Sequence, residues 1–73
     1  MNKYKVLILQ RGGKYSEEEC TAMTAEMTVR GIMCWYSTGT RFIVTAEDGT
    51  TEKFIVSATH DPIKGYTDIE RIA

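Results

Sequence analysis

"RFIVTAEDGTTEKFIVSA", Arg41 to Ala58, sets two apolar, β-branched runs on either side of an Asp-Gly pair, the strongest short-range signal for a β-hairpin. The phase of the flanking residues selects the turn. A two-residue Asp48-Gly49 loop would place Val44 against Lys53 and Phe42 against Ile55, mixing faces. A three-residue Glu47-Asp48-Gly49 loop, with Gly49 left-handed as in a type I turn plus bulge, places Phe42 against Phe54 and puts Val44, Val56 and Ala58 on the same side. The second arrangement is the expected one. It makes a core face of Phe42, Val44, Phe54 and Val56, and it leaves Arg41, Ile43, Thr45, Lys53, Ile55 and Ser57 on the opposite face.

Working upstream, "IMCWYS" (Ile32 to Ser37) reads as a further strand that turns at Thr38-Gly39 into the hairpin. Its register stays open: one loop length sends Met33 and Trp35 to the core, the other Cys34 and Tyr36. "YKVLILQ" (Tyr4 to Gln10) is a strand with Val6 and Ile8 on one face and Leu7 and Leu9 on the other, a pattern suited to a central strand. Gly12 and Gly13 break it. Ser16 and Glu19 then form a capping box, Glu17 and Glu18 sit where a helix dipole is positive, and Tyr15 and Cys20 are placed as a hydrophobic staple. The stripe of Cys20, Met23 and Met27, ending at Gly31, predicts a helix whose methionines pack on the sheet.

Downstream, "THDPIKGY" (Thr59 to Tyr66) reads as loop, because Asp61-Pro62 and Gly65 disfavour regular structure. In "TDIERIA" Thr67 and Glu70 repeat the capping-box pattern and predict a short helical turn, with an edge strand through Tyr66 as the alternative. The expected fold is α+β: one domain over residues 1–73 in the order β-α-β-β-β, with one helix packed on an antiparallel or mixed sheet and a short C-terminal helical turn.

The chain has 73 residues, 42% hydrophobic and 26% charged, with a formal net charge of -1. That is globular in composition, and too small for more than one core. The near-neutral charge lacks the clustered cations that drive non-specific nucleic-acid binding. The N-terminal apolar run is too short for a signal peptide and no segment approaches membrane-spanning length, so a cytoplasmic protein with Cys20 and Cys34 reduced is expected, a disulfide between them being the alternative.

Residues with chemistry of their own are few. Cys20 or Cys34 with His60 would make a nucleophile and base, but Cys20 on a buried stripe and Cys34 in a strand read more simply as small hydrophobes. One His and two well-separated Cys lack metal-ligand spacing. "QRGGKYS" has glycines, a lysine and a following helix start, yet the glutamates at 17–19 would repel a phosphate. No catalytic, metal or cofactor site is therefore expected. The order of elements resembles that of double-stranded-RNA-binding domains, although "TDIERIA" is acidic where those carry a basic cluster, and it resembles dodecins in order and in Trp35 alone. No family is assigned on these grounds.

The expected function is that of a small non-enzymatic module that binds another protein. Its interface candidates are Ile43 and Ile55, joined by Tyr36 and rimmed by Arg41 and Lys53. Small chains without a catalytic motif are common among phage and mobile-element inhibitors of host complexes, and a homodimer would offset the marginal stability of so small a domain. The alternative is a small-ligand or nucleic-acid module in which Trp35, Tyr36 and Arg41 form a stacking platform on the sheet while "RGGK" meets phosphate.

Overall fold

The computed structural model describes residues 1–58 and 67–72. A five-stranded, wholly antiparallel sheet carries one helix on one face. The elements are β1 (Asn2–Leu9), β2 (Tyr15–Ala22), α1 (Ala25–Ile32), a single 3-10 turn (Met33–Trp35), β3 (Arg41–Ala46), β4 (Thr51–Ala58) and β5 (Thr67–Ile72), with sheet order β2-β1-β3-β4-β5. The α+β class is as expected; the order of elements is not. The expected loop over 59–66, including His60 and Asp61, lies outside the described residues.

The hairpin from which the sequence reading starts is formed with the three-residue loop. Phe42 faces Phe54 and Thr45 faces Thr51. Gly49 N donates to Ala46 O at 3.0 Å, Ala46 N donates to Thr50 O at 2.8 Å, and Gly49 has φ +89°. β1 is central, paired on both sides. Its inward Val6 and Ile8 join Phe42, Val44, Phe54 and Val56 in a core where each is at most 1% exposed.

The expected helix from Ser16 is a strand. β2 returns from β1 through Arg11-Gly12-Gly13, with Gln10 N to Lys14 O at 2.8 Å and Gly13 N to Gln10 O at 3.3 Å, the same loop pattern as Glu47-Asp48-Gly49. A helical cap contributes about 1 kcal/mol. A full strand pairs a row of β1 backbone groups, each hydrogen bond contributing about 1 kcal/mol, so the ladder outweighs the cap. As an edge strand β2 tolerates its exposed glutamates, and Lys5 lies directly opposite Glu19.

The helix begins later and is turned differently. Thr24 caps it, its Oγ1 accepting from Met27 N at 3.1 Å, and Thr28 Oγ1 donates back to Thr24 O at 3.2 Å. Ala25, Thr28 and Val29 face the sheet, with Ile32 packed beside them, the i, i+3, i+4, i+7 spacing of a one-sided helix. The methionines expected in the core lie outside it: Met23 is 62% and Met27 52% exposed. Gly31 stands within the helix instead of stopping it.

"IMCWYS" ends α1 and makes the 3-10 turn, so the hairpin expected at Thr38-Gly39 does not exist and its register question falls away; Trp35 is 80% exposed. The C-terminal helical turn is β5, an edge strand on β4 as in the alternative reading, with Ile69 opposite Val56 and buried. The free edge of β4 outweighs the Thr67/Glu70 cap for the same reason that β1 outweighs the one at Ser16. Arg71 lies over the Phe54 ring at 5.1 Å and pairs with Glu52, closing that flank of the core.

Candidate functional site: the uncovered sheet face

Strand alternation puts every second residue on the face that α1 does not cover. Reading the register across the strands, one row runs Tyr15, Leu9, Arg41, Ile55, Glu70 and the next runs Glu17, Leu7, Ile43, Lys53, Ile72. Leu7, Leu9, Ile43, Ile55 and Ile72 are each half-buried, with Arg41, Lys53, Glu17 and Glu70 exposed around them. Tyr15, on edge strand β2, is 73% exposed. Beyond them the face turns polar: Glu19, Lys5, Thr45 and Thr51 lie in the third row, over an open recess of about 660 Å³ that Lys3, Glu19 and Glu47 help to line.

Of the interface candidates, Arg41, Ile43, Lys53 and Ile55 are brought together: Ile43 sits opposite Lys53, and Arg41 opposite Ile55. Tyr36 is not with them. Its ring meets Phe42 edge-on at 5.7 Å, on the helix side of the sheet. Trp35, Tyr36 and Arg41 therefore do not form one platform, since Arg41 alternates with inward Phe42 and points away from Tyr36.

Sequence reasoning missed five members of this surface. Leu7 and Leu9 were legible as a second apolar face of β1, and that face is left open where burial on both sides was expected. Tyr15 and Glu17 could not be found while their segment read as a helix, nor Ile72 while its segment read as a helical turn.

Burial pushes the Cys20 thiol up, and the nearby Glu18 carboxylate adds to this. Cys20 and Cys34 are both free, the first half-buried against the core and the second exposed. Arg30 ties α1 to β5 through Asp68 at 2.8 Å and reaches Glu26 at 3.5 Å; the hydrogen bond to Asp68 is the main reason its guanidinium is held above its ordinary pKa. Among the described residues no group of three or more His, Cys, Asp or Glu stands in a metal-ligating arrangement, and no helix is long and apolar enough to cross a membrane. No known protein family, curated protein or solved structure matches this chain.

Proposed function

We propose that the chain is a non-enzymatic protein-binding module of the cytoplasm that acts through the uncovered sheet face. The observation that carries this reading is the contiguous run of Leu7, Leu9, Ile43 and Ile55 over three adjacent strands, bordered by charges of both signs. An apolar centre with a polar, charged rim is the composition of an interface, and a sheet of this size gains by covering such a face. A domain that occupies a partner's surface can act by occlusion, and the form of action we propose is inhibition of a host complex, of the sort phages and mobile elements encode.

The test compares affinity capture by the wild-type chain with capture by Ile43→Asp/Ile55→Asp from the lysate of the producing cell, read by quantitative mass spectrometry. Proteins lost with the double variant support the face as the binding surface. Identical recovery by both, with circular dichroism showing the variant folded, refutes it.

A further inference from the structure

The uncovered face is complementary to itself. Its central row reads acid, apolar, apolar, base: Glu17 on β2, Leu7 on β1, Ile43 on β3 and Lys53 on β4. Resting on the reading of this face as a protein-binding surface, we propose that its occupant is a second copy of the chain, stacked face to face about a two-fold axis parallel to the strands and midway between β1 and β3. This axis lays β1 over the partner's β3 and β2 over the partner's β4. Leu7 then meets the partner's Ile43, and Glu17 meets the partner's Lys53, each contact occurring twice. In the row above, Tyr15 covers the partner's Ile55 and Leu9 meets the aliphatic stem of the partner's Arg41. In the row below, Lys5 faces the partner's Thr45 and Glu19 the partner's Thr51. No like charges are opposed in any of the three rows.

Geometry and charge favour this arrangement. Within one copy Glu17 and Lys53 are three strand spacings apart, about 14 Å, and neither joins an ion pair among the described residues. Across the axis each lies about 7 Å out, so the rotation of roughly 30° usual between packed sheets displaces the pair by only about 4 Å, within reach of a lysine. Edge-to-edge pairing through β2 is opposed, because Glu17, Glu18 and Glu19 would meet the same three carboxylates. The overlap of four strands spans roughly 400 Å² in projection per copy, with its third row over the open recess, the footprint of a small interface. The dimer is thus expected to be weak and concentration-dependent.

Sedimentation equilibrium between about 10 µM and 1 mM tests this. The wild-type chain is expected to move from monomer to dimer mass over that range. Glu17→Lys and Lys53→Glu, both at exposed positions, each oppose like charges twice and should raise the dimer Kd by roughly tenfold or more. Mixed one to one, the two variants restore both pairs and should associate with each other at least as well as the wild type associates with itself. A wild-type chain that stays monomeric to 1 mM overturns the second copy as occupant. Such a result leaves the face itself to the capture comparison of wild type and Ile43→Asp/Ile55→Asp. Dimers that ignore the single substitutions, or a mixture that fails to regain association, overturn the stacking.

Discussion

At the scale of single residues, two glycines have opposite meanings. Gly49 sits at φ +89° in the β3–β4 turn, where an L side chain is strained although nothing crowds the site. Gly31 lies inside α1 with open space around it and a φ outside the left-handed region. Gly49→Ala should lower stability by about 1 kcal/mol or more, and Gly31→Ala should raise it by about 0.5–1 kcal/mol. Urea unfolding of the two variants checks the signs, and shifts in the same direction would contradict the backbone argument. In the same turn Thr50 N donates to Asp48 Oδ1 at 2.9 Å, and this hydrogen bond holds the Asp48 carboxyl below its ordinary pKa. Because the folded value is the lower one, the contribution is present above the unfolded pKa of about 3.9 and is lost as pH falls through the folded value. Asp48→Ala should therefore lose less stability than the wild type between about pH 5 and pH 3, as thermal melts across that window would show.

At the scale of elements, the two cysteines report where strand and turn lie. Cys20 on β2 faces Tyr4 across the ladder, half-buried, with its thiol shifted toward the unreactive protonated form; Cys34 lies exposed on the 3-10 turn. Iodoacetamide near pH 8 is expected to modify Cys34 first and Cys20 several-fold more slowly, with mass spectrometry assigning the sites. Equal rates would contradict the placement of β2. Trp35, on the same 3-10 turn, should emit as a water-exposed indole in the native state and change little on unfolding. The segment between Tyr15 and Trp35 is where local signals and tertiary structure disagree. Its capping box, glutamates and methionine spacing are sound helix signals taken singly. They are overridden because β1 has backbone groups to satisfy along both edges, and the Arg11-Gly12-Gly13 loop delivers a strand to the edge that β3 leaves open. Helix formation is displaced to Thr24, whose hydroxyl supplies a cap just as well.

At the scale of the whole molecule, stability concentrates in one layer between sheet and helix. A domain of 73 residues has roughly 4–11 kcal/mol in all. Phe42 and Phe54 are fully buried and directly opposed, and truncating either to Ala costs about 3–5 kcal/mol. Phe42→Ala or Phe54→Ala should lower the urea midpoint drastically or abolish the cooperative transition, whereas Ile43→Asp, on the open face, should leave the fold intact. The Arg41 to Ala58 hairpin, its turn, its inward and outward residues and the central place of β1 were all legible beforehand. Period-two alternation and a glycine-specific turn are local, and one choice of loop length sorts every flanking side chain. The identity of β2, the start of α1 and the nature of β5 were decided only by tertiary structure. β2 and β5 are edge strands that satisfy the backbone of a strand already present, and an exposed edge such as β2, with Glu17, Glu18 and Glu19 all in solvent, carries no period-two apolar alternation to announce it. For the same reason Arg41, Ile43, Lys53 and Ile55 could be grouped from the chain alone, while Leu7, Leu9, Tyr15 and Glu17 joined their face only once the sheet had set them side by side.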